Sequence, residues 1–203
     1  MFSLEIKKES QLPYLALLIG MFAISTSAIL IRHSNSEPLV IGSYRQAFAT
    51  LIFLPFIIKD RGEEIRSQSY VTLFEMILTG ILLGAHFSFF ITSVKETSVA
   101  ASVLLATCHV VYVAILGRFL FGEILSREAI IGTSIALAGI LILFGGDLLD
   151  NPGNFRGNLF AFISGILAGL YYLSGRKLRK IISLPTYAFV VYLFSFLTMF
   201  AVV

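Results

Sequence analysis

Seven stretches of apolar residues, each close to the roughly 20 residues that a membrane-spanning helix needs, divide this chain: about 13–32, 38–58, 71–93, 98–117, 128–146, 157–175 and 186–203. Backbone polar groups in lipid must be satisfied within the segment itself, so segments of this length are read as α-helices. The breaks between them are chemically suited to that role. Pro38 and Pro185 stand at helix starts, where a missing N–H costs nothing. The links "HSNSE", "KDRGEEIRSQS", "VKETS", "GEILSR", "GGDLLDNPGNFR" and "GRKLRKIIS" are polar or glycine-rich. The expected fold is an all-α polytopic membrane protein of about seven helices.

Composition agrees. Of the 203 residues, 57% are hydrophobic and 13% charged, about half the charged share of an ordinary soluble domain. Lone Cys108 leaves no internal disulfide framework. The net charge of +3 is an orientation signal. With the N-terminus inside, the inner segments carry eleven Lys and Arg residues, among them Lys7, Lys8, Arg118, Arg127 and Arg176 to Lys180, against Arg32, Lys95 and Arg156 outside. The positive-inside rule then predicts a cytoplasmic N-terminus in a plasma or inner membrane and leaves little for a nucleic-acid reading. Lys7 and Lys8 before an apolar stretch, with "STSA" at 25–28, imitate a signal peptide, but the charge pattern requires the helix to be retained. The sequence carries no Walker-type glycine loop, metal-ligand cluster or lipidation motif; no cofactor and no metal are expected.

Arg45 is the anomaly: one guanidinium inside "VIGSYRQAFATLIFLPFI". It lies about 10 Å along the second span from Pro38 at 1.5 Å per residue. It could snorkel to the outer interface, or face a water-filled cavity and meet an anionic group on a solute. Intramembrane charge is costly and usually faces a bundle interior, which favours the cavity. Tyr44, Ser25, Thr26, Ser27, His86, Thr107, His109 and Tyr112 sit at depths compatible with one outward-facing vestibule. Ser and Thr hydroxyls in membrane helices usually bond backbone carbonyls; an imidazole in lipid needs partners and can carry a proton. Small residues recur four apart at Gly80 and Gly84, Gly132 and Ala136, and Gly165 and Gly169. Such stripes let helix backbones approach. Tyr14, Tyr70 and Tyr187 are expected at the membrane interfaces.

"ETSVAASVLLATCHVVYVAILGRFLFGE" (96–123) followed by "GTSIALAGILILFGGD" (132–147) resembles the EamA family of the drug/metabolite transporters, as do "FAISTSAILIR" (22–32) and "SYRQAFAT" (43–50). The matching features are a Thr-Ser turn into a small-residue helix, a closing Gly122-Glu123, and Ala-Leu-Ala-Gly at 136–139. Glu123 is expected to be a structural residue at the membrane interface. The family often has a proline after the position of His109, where this chain has Val110. That departure predicts a straighter fourth span.

The resemblance implies two five-helix repeats of opposite orientation and an arginine at the position of Arg45. Residues 1–147 are then the first repeat, and 157–203 the start of a second. Shifting the sequence by 147 positions lays Pro185 on Pro38 and Arg179 on Arg32, as inverted repeats require. A complete second copy needs about 90 further residues, so the chain reads as a truncated member: a fragment, a disrupted gene, or a protein completed by another chain or a homo-oligomer. The implied function is a secondary transporter of a small polar metabolite, amino acid or drug-like solute. The alternative is a non-transporting fragment or subunit. An enzyme is not expected, since adjacent Cys108 and His109 point about 100° apart on a helix.

Overall fold

The computed structural model describes residues 12–122 and 124–203, and among these every regular element is a helix. They are α1 (Leu12–His33), α2 (Pro38–Phe56), α3 (Gly62–Arg66), α4 (Tyr70–Glu96), α5 (Val99–Thr107), α6 (His109–Phe121), α7 (Arg127–Asp150), α8 (Phe155–Leu178) and α9 (Leu184–Phe200). Among the described residues six helical stretches are long and apolar enough to cross a membrane, with α5 and α6 together forming one of them. The seventh expected span is the shorter α9, of 17 residues, about 25 Å long. Glu123 lies outside the described residues.

Local chemistry sets the boundaries. Pro38 opens α2. Ser69 and Ser98 cap α4 and α5 by accepting the Thr72 and Ala101 N–H groups, each at 3.1 Å. Gly122 ends α6 at φ 66°, a left-handed conformation that glycine adopts without strain. Pro55 lacks the N–H that would continue the α2 ladder, and a π-helical turn follows at Ile57–Arg61 before the chain re-enters α-helix as α3.

The fourth span departs from expectation. It is broken at Cys108 between α5 and α6, although no proline is present. The Leu104 carbonyl accepts from the Thr107 hydroxyl at 3.0 Å, the Cys108 thiol at 3.1 Å and the Cys108 N–H at 3.2 Å. Side chains that bond back onto the ladder bend helices. Here two in succession load one acceptor, and the ladder resumes with a tighter bond from the Val111 N–H to the Cys108 carbonyl at 2.9 Å.

Helix α4 is the hub, packing on α1, α2, α5, α8 and α9, while α8 packs in turn on α5 and α6. Glycines make the closest approaches. A Cβ on Gly80 would lie 2.7 Å from Phe194 Cβ, and one on Gly84 2.9 Å from the Ser195 carbonyl, so α4 and α9 touch backbone to backbone there. Gly165 and Gly169 admit Tyr112 from α6: its Cε2 would lie 3.0 Å from a Cβ at Gly165, and its Cβ 3.1 Å from one at Gly169. The stripe on α7 differs: nothing lies within 4 Å of a Cβ at Gly132. Gly132 and Ala136 instead border an apolar groove between α7 and the α5–α6 span.

The face on which α1 ends is tied by polar contacts. Arg32 Nη1 donates to the carbonyls of Val94 at 2.9 Å and Lys95 at 2.6 Å, closing the end of α4. Lys95 reaches the Ser34 carbonyl. The Thr97 hydroxyl donates to Asn158 Oδ1 at 2.8 Å, with both residues buried. Thr97→Val removes that donor from a desolvated amide. It is expected to cost about 1–3 kcal/mol, read as a lower unfolding temperature in detergent; an unchanged temperature would show that the bond contributes nothing.

Candidate functional site

Polar side chains from five helices converge inside the bundle. Arg45, from α2, lays its guanidinium over the Phe87 ring of α4 at 4.4 Å from the centroid. Tyr192 of α9 lies near it, and among the described residues no carboxylate pairs with it. His86 Nδ1 lies 2.9 Å from both the carbonyl and the hydroxyl oxygen of Ser164 on α8, and its ring stacks on Phe90 at 11° between planes. His86 is within Coulombic reach of both Arg45 and His109.

His109 begins α6 immediately after the break. Its ring lies on Tyr172 of α8, centroids 4.7 Å apart and planes 24° apart. Here a cleft of about 500 Å³ opens toward the face on which α1 begins, hereafter the N-side face. His109, Val110 and Val113 form one wall, Tyr171, Tyr172 and Gly175 another, and Tyr187 of α9 the third, with Arg176 and Arg179 toward the end of α8. Tyr192 lies near both Arg45 and Tyr172. Such a site can hold an anionic group against fixed cations and a flat body against aromatic rings. Among the described residues no three His, Cys, Asp or Glu side chains gather as a metal site.

The remaining sequence candidates are dispersed. The Ser25 hydroxyl donates to the Met21 carbonyl at 2.8 Å, and the Thr26 hydroxyl to that of Phe22 at 3.0 Å, on α1 at the bundle's edge. Ser27 shares that helix. Tyr44 is exposed beside Phe48. The Thr107 hydroxyl bonds the Val103 carbonyl at 2.8 Å and borders the groove facing α7. Tyr112 packs edge-on against Phe162, centroids 5.7 Å apart. The structure thus places Arg45, His86 and His109 near one another inside the bundle without direct contact between them, and leaves Tyr44 and the hydroxyls of Ser25, Thr26 and Thr107 elsewhere. Tyr171, Tyr172 and Tyr192 were not singled out in sequence. The available signal was "LYYLSGR", an aromatic pair inside a span and one turn before its terminal arginine.

Long apolar helices around a cluster of cationic and aromatic side chains define a multi-pass membrane protein. The EamA-like transporter family matches residues 11–145, and the chain belongs to that family. It is 29% identical over 121 residues to an uncharacterized transporter of Archaeoglobus fulgidus, covering 59% of this chain and 43% of that one. It is 24% identical over 163 residues to one from Helicobacter pylori strain J99, covering 78% and 52%. A second Archaeoglobus fulgidus transporter is 22% identical over 165 residues, covering 81% and 56%. The chain spans about half the length of the curated relatives it matches. No solved structure matches it significantly.

Proposed function

We propose that this protein acts in the transmembrane movement of a small polar solute bearing an anionic group, with Arg45 as the anion contact and the His109–Tyr172 cleft as the N-side end of the solute's path. The observation that carries this reading is the guanidinium inside the membrane-spanning bundle with no carboxylate paired to it among the described residues. A charge at that depth costs several kcal/mol unless it is compensated. A ring face is partial compensation that leaves the hydrogen-bonding edges of the guanidinium for a ligand. His86 and His109 are placed to hydrogen-bond the same solute. Residues 1–147 and 157–203 are read as a first repeat and the beginning of an inverted second. The Lys and Arg distribution supports a cytoplasmic N-side face in a plasma or inner membrane.

The test is a thermostability screen of purified protein against small organic anions and their neutral amide or ester analogues. Ligand at 100 times its Kd stabilises by about 2.7 kcal/mol. The expected result is that at least one anion raises the unfolding temperature by several degrees while its neutral analogue does not. Equal stabilisation by both members of every pair would count against an anion contact.

A further inference from the structure

We infer that Glu64 is a latch on the N-side mouth of the cleft: its carboxylate holds the start of α9, and with it the Tyr187 wall, closed against α8. The inference rests on reading the cleft as the N-side end of the solute path.

Glu64 stands on α3, the short helix that follows the π-helical turn after α2. One of its oxygens, Oε1, accepts the Ser183 N–H at 2.8 Å; the other, Oε2, accepts the Ser183 and Thr186 hydroxyls at 2.5 Å each. A single carboxylate thus caps the first turn of a helix more than a hundred residues away in sequence, where its charge also meets the positive end of the helix dipole. The post itself is braced, since the Glu64 carbonyl accepts from the Ser67 hydroxyl and the Gln68 amide, each at 3.0 Å.

What this cap controls follows from the two halves of α9. Its later half is fixed sterically, by Val191, Phe194, Ser195 and Thr198 against Gly80 and Gly84. Its first turn has no such glycine contact with α4. Tyr187 packs there with Met76, Leu178 and Ile182, and apolar contact is non-directional and tolerates sliding. Directional restraint comes from Glu64. Across the cleft, α8 is independently tied to α4 by Lys177 Nζ to Glu75 Oε1 at 2.6 Å and by the Ser174 and Thr79 hydroxyls at 2.5 Å. One wall is therefore anchored to α4 by polar side chains, while the opposite wall packs on α4 and α2 and, among the described residues, its first turn is held by hydrogen bonds to the Glu64 carboxylate. Tyr187 meets the anchored wall at Gly175, where even a Cβ would lie 2.6 Å from the Tyr187 hydroxyl.

The test uses protein in nanodiscs with Cys108→Ser and one reporter cysteine, Val113→Cys, on the α6 wall of the cleft. The readout is its labelling rate with a membrane-impermeant methanethiosulfonate. Glu64→Ala and Thr186→Val should each speed labelling about tenfold or more, as expected for losing hydrogen bonds to a charged group. Thr186→Ser, which keeps the hydroxyl, should remain near the unsubstituted rate. A second reporter, Ser36→Cys on the opposite face, should be unaffected. Unchanged rates at Val113→Cys, equal acceleration by Thr186→Ser, or acceleration of both reporters would each overturn the latch. No solute is needed, so this result stands apart from the anion screen. A latch observed without any anion binding would count against the transport reading alone.

Discussion

Arg45→Ala is expected to abolish solute movement, by about 100-fold or more, while the protein still inserts and folds. The two halves of that expectation have separate grounds. Folding survives because no carboxylate among the described residues would be left unpaired by the change, and a stranded partner is what makes breaking a buried ion pair so costly. The loss of the Phe87 contact, at 4.4 Å, removes about 2 kcal/mol of cation–π attraction, but it also removes an insertion cost of about 2.5–3.5 kcal/mol. On the proposed reading function is lost because α2 carries no other charged side chain at that depth to meet an anionic group. Arg45→Lys separates the remaining possibilities. An ammonium retains charge but neither stacks as a plane nor grips a carboxylate with two prongs, so most of the activity should stay lost. Activity near wild type in Arg45→Lys would identify a side chain that merely reaches for the interface.

Gly84→Ala is expected to destabilise the bundle, and Gly84→Leu to leave little folded protein. An added Cβ at Gly84 would lie 2.9 Å from both the Ser195 carbonyl and Thr198 Cβ, and at Gly80 2.8 Å from the Val191 carbonyl. Backbone atoms cannot rotate out of the way, so α9 itself must shift. That shift is resisted on its other side, where Met199 Sδ occupies the space that a Cβ on Gly42 would need, 2.6 Å away. Overpacking of this kind costs about 1–3 kcal/mol for the smallest addition. Gly132→Ala is the internal control: it meets open space, and it should be neutral or stabilising by up to about 1 kcal/mol through helix propensity alone. Thermal unfolding in a single detergent measures all three. Equal losses at Gly84 and Gly132 would show that the contact between α4 and α9 is not the close one described.

The contrast between those glycines also shows what the chain's letters reveal. Apolar length and Pro, Gly and Ser punctuation locate the spans, because lipid forces each segment to satisfy its own backbone. The stripes at Gly80–Gly84, Gly165–Gly169 and Gly132–Ala136 look alike in sequence, yet the first two receive a neighbouring helix and the third borders a groove. Spacing marks a face that permits close approach; which helix arrives is decided by the tertiary arrangement. The same division runs through the site. Arg45, His86 and His109 stand out because they are polar in apolar surroundings. Tyr171, Tyr172 and Tyr192 do not, since tyrosine is ordinary near membrane interfaces. Tyr187 is buried as the third wall of the cleft. Glu64 was hidden more completely: it sits in a charged linker, and its partners lie 119 and 122 residues away. The break at Cys108 is not legible from the absence of proline, because consecutive side chains returning to the Leu104 carbonyl achieve it.

The most direct measurement is counterflow in proteoliposomes. Vesicles containing the protein and loaded with an unlabelled organic anion are diluted into a trace of the same anion carrying a radiolabel. An anion carrier should draw labelled solute transiently above its equilibrium level, with no such overshoot in protein-free vesicles or with the neutral analogue. Overshoot with a neutral or cationic solute and none with any anion would contradict an anion path through Arg45.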